Sequence, residues 1–201
     1  GCVAQQEGET LLRKAPHVDL VIGPDNIPEL PGLLRDIDAG GPPRARTIFD
    51  MESPQFLVAR PHDGEEVTSF VTVMKGCDEK CTYCIVPTTR GPERYRTADE
   101  IVSEVAQMAA GGVREGTLLG QTVNSWYDPS DLSDKPSSRL APSASAFADL
   151  LRRIDREAPG LMRLRYTSPH PRHLTEALIE AHRDLALLPA HVHLPAQSGS
   201  D

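Results

Sequence analysis

The stretch Val67-Thr68-Ser69-Phe70-Val71-Thr72-Val73-Met74 leads directly into Lys75-Gly76-Cys77-Asp78-Glu79-Lys80-Cys81-Thr82-Tyr83-Cys84. The first part alternates and is rich in β-branched side chains, the pattern of a strand with one buried face. The second carries three cysteines with gaps of three and two residues. Three thiolates this close can face one inorganic centre, and they leave it one ligand short. Zinc modules usually present two separated C-x-x-C pairs that close a tetrahedron. Ferredoxin-type clusters use four cysteines. Three cysteines on a four-iron cluster leave one iron open to a small molecule. A disulfide explains the pattern poorly, because three clustered cysteines cannot all pair and Cys2 lies far away in sequence.

The composition is that expected of a soluble intracellular enzyme. The chain has 201 residues, of which 39% are hydrophobic, enough for one core or a domain and a half. No apolar run is long enough to cross a membrane, and no signal-peptide pattern is present. Four cysteines, three of them clustered, suit metal binding in a reducing compartment, and a cytoplasmic location is expected. The sequence begins Gly1-Cys2 and stops at Gln197-Ser198-Gly199-Ser200-Asp201, inside what reads as a functional loop, so a fragment of a longer protein is expected. The net charge of -8 argues weakly against nucleic acid, but it is unevenly spread. Residues 1–66 hold twelve acids and six bases, whereas residues 152–172 hold six arginines and two acids. The bland reading of such runs is a solvated face.

Upstream of the cysteines, residues 8–15 read as a short amphipathic helix and Val18–Ile22 as a buried strand closed by Gly23-Pro24. Residues 29–37 read as a helix with Leu30, Leu33, Leu34 and Ile37 inward. Residues 1–37 are thus the tail of a small α/β domain. Residues 38–66, punctuated by Gly and Pro, read as a linker with at most a short strand near 56–59. From residue 67 onward the elements alternate. Strands are expected at 67–74, 117–119, 161–166 and 191–194. Helices are expected after Thr97, whose capping box with Glu100 marks a start, then around Phe147–Ile154 and over 174–184, with a Ser/Pro/Asp-rich loop at 128–145. This β-α-β-α-β-α-β order predicts parallel strands with right-handed crossovers. The fold class is α/β, a partial parallel (β/α) barrel over 67–201 that is cut off after its fourth strand. Four polar segments follow the four strands: the cysteine loop, Gly120-Gln121-Thr122-Val123-Asn124-Ser125, Thr167-Ser168-Pro169-His170-Pro171 and Pro195-Ala196-Gln197-Ser198-Gly199-Ser200. In a parallel barrel all four lie on the carboxyl face, where such folds place their chemistry.

With these residues in place, the chain resembles the radical S-adenosylmethionine (SAM) methylthiotransferases along its whole length. The C-x3-C-x2-C spacing is that superfamily's signature. Gly76-Cys77 through Cys84-Ile85-Val86-Pro87, followed by Thr89-Arg90-Gly91, resembles the cluster loop of this family in particular. Gly1-Cys2-Val3-Ala4-Gln5 and Val18–Asp25 are similar to its amino-terminal domain, and the later loops to the branch acting on N6-isopentenyladenosine beside the tRNA anticodon. Thr122 and Trp126 stand where that branch usually has Asn and Tyr. The resemblance implies a transferase with two 4Fe-4S clusters. One is held by Cys77, Cys81 and Cys84 and cleaves SAM. An auxiliary one is held by Cys2 with two cysteines upstream and supplies sulfur. Gln121, Asn124, Ser168, His170, Gln197 and Ser198 are the expected contacts to SAM, whose ribose and adenine edges suit short polar side chains. Arg90 is the expected contact to a tRNA phosphate and Tyr83 to a base, and tRNA and a reducing donor such as flavodoxin or ferredoxin are the implied partners. Methylthiolation of a small-subunit ribosomal protein or of threonylcarbamoyl-adenosine remains open at this point, as does a zinc-binding interaction module. His191 and His193 share one face of the expected fourth strand and suit a second metal, although such pairs are more often simply packed.

Overall fold

The computed structural model describes residues 1–49, 51, 55–56, 58, 66–131 and 145–195. Leu57 and Ala59 of the expected strand near 56–59, most of the loop at 128–145, and Gln197 and Ser198 lie outside the described residues. Two compact units divide the chain: Gly1–Leu57 with Gly76–Arg94, and Val58–Lys75 with Tyr95–Asp201.

In the first unit the helix expected over residues 8–15 is α2 (Glu9–Lys14), and an unexpected helix, α1 (Cys2–Glu7), precedes it, the two meeting at Gly8. Glu9 in the first turn of α2 and Arg13 and Lys14 in its last turn suit the helix dipole. β1 (Leu20–Ile22) pairs in parallel with β2 (Arg44–Arg46), Val21 opposite Ala45. The connection between them contains a 3-10 turn over Pro24–Glu29 and α3 (Leu30–Asp38). Asn26 braces this connection. Its Nδ2 donates to Glu29 Oε1 (2.7 Å), and its Oδ1 accepts from the Ile48 amide (3.0 Å). Leu33 is buried, but Leu34, expected inward, is 47% exposed, so α3 covers a narrower ridge than its spacing suggests. β2 lies in the segment read as linker. Arg-Ala-Arg carries no apolar signal; its ladder to β1 holds it. Residues 76–94 of this unit contain the three cysteines and α4 (Val86–Arg90), against which α1 packs.

In the second unit β3 (Thr68–Thr72), β4 (Glu115–Leu119) and β5 (Arg163–Tyr166) form a parallel sheet in chain order. The register puts Ser69, Gly116 and Leu164 in one row and Val71, Leu118 and Tyr166 in the next row on the same face. That face joins the core with α5 (Ala98–Ala110), α6 (Ala146–Glu157) and α7 (Glu176–Asp184). Ile101, Val105, Leu151, Ile154 and Leu178 meet it fully or almost fully buried, each contributing about 1.5–3 kcal/mol. The opposite face carries Thr68, Phe70, Thr117, Arg163 and Arg165, and Phe70 there is 62% exposed. The capping box opening α5 is complete: the Glu100 amide donates to Thr97 Oγ1 and the Thr97 amide to Glu100 Oε2. Arg96 and Glu104 form a buried ion pair beside it, and Arg96 also donates to the Thr72 carbonyl (3.1 Å). Among the described residues no helix is long and apolar enough to cross a membrane.

The expected fourth strand at 191–194 is not formed. Leu187 meets the edge of β5 instead, its carbonyl accepting from the Leu164 amide (2.9 Å). Pro189 then has no N–H to give a ladder, and the His191 amide turns back to the Pro189 carbonyl (2.7 Å). Residues 191–194 are left exposed.

Candidate functional site

The cysteine loop leaves the carboxyl end of β3 in sequence and is closed at its base within the first unit. Gly76 has a φ of 81°, and a Cβ there would lie 2.0 Å from the Pro92 carbonyl oxygen, so only glycine fits. The Cys77 amide donates to the Gly91 carbonyl (3.1 Å). Asp78 and Glu93 then exchange two bonds, each amide to the other's carboxylate (3.4 and 3.3 Å). The Cys84 amide donates to the Cys81 carbonyl (3.0 Å), and the Val86 amide to Cys84 Sγ (3.4 Å). Pro87 in the first turn of α4 suits a helix start.

All four cysteines are thiols rather than disulfides; Cys77 is buried, and Cys2, Cys81 and Cys84 are half-buried. Among the described residues the three loop sulfurs do not gather within 4.8 Å of one another. Three clustered thiols fit a cluster with one open corner better than a closed structural zinc site, which takes four ligands. Tyr83, at 73% exposure, does not shield the loop. Arg90 is half-buried, and its guanidinium has no hydrogen-bond or ion-pair partner among the described residues. Cys2 opens α1, the helix that packs on α4.

The second unit holds the other expected contacts in the loops after β4 and β5. Gly120 starts the first of these loops where a Cβ would meet Met74 Cγ at 2.5 Å. Its backbone approach, not a phosphate cradle, explains the glycine. Gln121 is half-buried, and its Oε1 is buried with no hydrogen-bond partner. Such an orphan acceptor is costly unless something donates to it, and a hydroxyl or amine of a bound molecule suits it. Asn124 is buried and faces the next loop: its Nδ2 donates to the His170 carbonyl (2.9 Å) and its Oδ1 accepts from the His170 amide (2.7 Å). It ties two loops together, a bracing role that the sequence alone did not suggest. Ser168 has a φ of 54°, the one positive value at a non-glycine among the described residues, and it precedes a proline, where the chain prefers extended geometry. Strain of this kind costs about 1–3 kcal/mol and gathers at ligand sites. His170 Nδ1 accepts from the Arg172 amide (3.1 Å), which places the ring proton on Nε2 as a donor.

Sequence reasoning missed a further pair. Tyr166 Oη and His182 Nε2 lie 2.7 Å apart. Burial pushes the Tyr166 phenol up to about 12. It pushes the His182 imidazole down, opposed by a bond to the Pro189 backbone. No local motif announces this contact between β5 and α7. With Thr117, Arg165, His191 and His193 the pair lines a cavity of about 140 Å3. His191 and His193 are exposed, and neither joins a group of three metal-ligand atoms within 4.8 Å among the described residues.

The arginine-rich stretch is largely neutralised. Arg152 pairs with Asp149, Arg153 with Asp99 and Glu157, and Arg163 and Arg165 with Glu115 at 2.8 Å each. It reads as a solvated, ion-paired face rather than a polyanion surface.

The family described as the Radical SAM superfamily matches residues 71–201. Over its full length the chain is 60% identical to the tRNA-2-methylthio-N(6)-dimethylallyladenosine synthase of Sorangium cellulosum (strain So ce56), covering 42% of that protein. It is 47% identical to the protein of that name from Acidithiobacillus ferrooxidans (strain ATCC 53993 / BNL-5-31), covering 42% of it. With that of Geobacter metallireducens (strain ATCC 53774 / DSM 7210 / GS-15) the identity is 45% and the coverage 43%. In each case all of the chain is covered, and it spans less than half the length of these curated relatives.

Proposed function

The chain belongs to the radical SAM superfamily, and we propose that it serves a methylthiotransferase that modifies carbon 2 of N6-isopentenyladenosine next to the tRNA anticodon. The observation that carries this reading is the cysteine loop: three thiols within eight residues, closed at the base and accessible at Cys81 and Cys84, in a chain 60% identical to a synthase of that name.

Cys77, Cys81 and Cys84 would hold one 4Fe-4S cluster, and Cys2 would give one thiolate to an auxiliary cluster. When bound, the three-cysteine cluster supplies the electron that splits SAM. The protein's own groups orient and enclose. The Val86 amide, already directed at Cys84 Sγ, stabilises negative charge on that sulfur. Gln121 Oε1 accepts from a SAM hydroxyl or amine, and His170 Nε2–H and the Ser168 hydroxyl offer further polar contacts. Gln197 and Ser198 complete the set in this reading. Asn124 holds the two loops in register rather than presenting an open amide. Arg90 meets a tRNA phosphate, and exposed Tyr83 stacks on a splayed base. The three parallel strands in chain order, with the core on one face of the sheet, support a partial (β/α) barrel. A low-potential donor such as flavodoxin or ferredoxin and a cytoplasmic location follow from the same reading.

Anaerobic reconstitution of the full-length protein tests it. Protein, SAM, reductant and isopentenylated tRNA should yield 5′-deoxyadenosine and the 2-methylthio nucleoside, and Cys81→Ala should yield neither. Modification of a ribosomal protein with tRNA left unchanged would overturn the reading.

A further inference from the structure

Asp25 and Arg94 form an ion pair across 69 residues of sequence, with side chains only 4% and 5% exposed. The same guanidinium donates from Nη2 to the Arg90 carbonyl (2.7 Å), at the end of α4. It also lies over the Phe49 ring, 5.9 Å from the centroid. Gly91 packs on that ring too, since a Cβ there would sit 3.4 Å from Phe49 Cδ1, and the Gly91 carbonyl holds the Cys77 amide. One buried side chain therefore joins the turn before α3, the segment after β2 and the base of the cysteine loop. The helix bearing Cys2 is fixed to the same frame. Gln5 Nε2 donates to the Thr47 carbonyl (2.8 Å), and α1 packs on α4.

A buried ion pair is a poor choice for stability alone, because apolar packing of similar volume often does as well, but it fixes orientation. Here the fixed relation is between the segment carrying Cys2 and the loop carrying Cys77, Cys81 and Cys84. We propose that Asp25 and Arg94 are positioning residues that set the Cys2 thiol relative to the three-cysteine loop, so that cleavage of SAM stays coupled to sulfur transfer. This inference rests on the two-cluster reading above. A single substrate pose must meet both centres, and a displacement of about 1 Å can cost about 100-fold in a positioned reaction.

The test uses the full-length, reconstituted protein and the isosteric variant Asp25→Asn, with Arg94→Lys as a second variant that keeps the charge but loses the fork to Arg90. Iron content, 5′-deoxyadenosine, methylthiolated tRNA and the magnetic interaction between the two reduced clusters are measured together. The expected result is unchanged iron, 5′-deoxyadenosine within about twofold of wild type and methylthio product lower by about tenfold or more, with a weakened or broadened cluster–cluster interaction in the electron paramagnetic resonance spectrum. Should Asp25→Asn lose its cooperative melt, Arg94→Lys decides by the same criteria. Product and 5′-deoxyadenosine falling in proportion, or both unchanged, would overturn the positioning role. Failure of the underlying reading is separate: Cys2→Ala with the iron content of wild type would remove the second cluster and the inference with it.

Discussion

Both functional groups of Asn124 face the backbone of His170, at 2.7 and 2.9 Å. Asn124→Ala strips partners from a backbone amide and a carbonyl, at about 1–3 kcal/mol for each buried group left unpaired. The loops after β4 and β5 should loosen, and SAM affinity measured by calorimetry on cluster-loaded protein should fall by about tenfold, equivalent to about 1.4 kcal/mol. Asn124→Asp separates bracing from bulk. Its carboxylate still accepts from the His170 amide but repels the carbonyl. Affinity should therefore recover as pH falls and the carboxyl becomes a donor, while Asn124→Ala shows no such recovery. The cysteines divide differently. In the proposed reading Cys77, Cys81 and Cys84 form one ligand set, so alanine at any of them should abolish 5′-deoxyadenosine formation. Cys2→Ala should preserve it and abolish only the methylthio product. Equal loss of 5′-deoxyadenosine in Cys2→Ala and Cys81→Ala would refute the assignment of Cys2 to a separate centre.

At the scale of elements, the Tyr166–His182 contact joins β5 to α7. Burial lowers the His182 pKa from 6.5, so the folded chain binds fewer protons there than the unfolded chain. The stability this group contributes is complete above about pH 6.5 and declines as pH falls toward the depressed value. Denaturant titrations from pH 8 to pH 5 should show that decline, and His182→Phe should flatten it; an unchanged slope would contradict the depressed pKa of this half-buried imidazole. Tyr166→Phe leaves His182 Nε2 without its donor and should cost about 1–3 kcal/mol. The exposed pairs on α6, such as Arg153 with Glu157, should matter much less, since surface ion pairs contribute about 0–1 kcal/mol.

Across the whole molecule, legibility follows burial. Ile101, Val105 and Met108 declared α5, and Phe147, Leu150, Leu151 and Ile154 declared α6, because each presses an apolar stripe into the core. β2 was not legible, because Arg44-Ala45-Arg46 is held by ladder bonds that no side chain reports. Residues 191–194 misled in the opposite sense: their alternation is that of a strand, yet Pro189 and the turn it makes with His191 break the approach to β5. In the candidate site, cysteine spacing was readable because metal ligation demands particular residues at particular gaps. The bracing role of Asn124 was not, since an amide that binds a ligand and one that binds a neighbouring loop look alike in sequence. Nor was the Asp25–Arg94 pair, whose partners lie 69 residues apart. The net charge of -8 and the ion-paired arginines among the described residues make a broad polyanion surface a poor account of tRNA binding, which in the proposed reading falls to Arg90 and Tyr83.

The central claim is that tRNA adenosine is the target, and nucleoside mass spectrometry of bulk tRNA from a strain lacking the gene tests it most directly. The account predicts that 2-methylthio-N6-isopentenyladenosine disappears, N6-isopentenyladenosine accumulates in its place, and the wild-type gene but not Cys81→Ala restores the modified nucleoside. An unchanged level of the methylthiolated nucleoside in the deletion strain would contradict it.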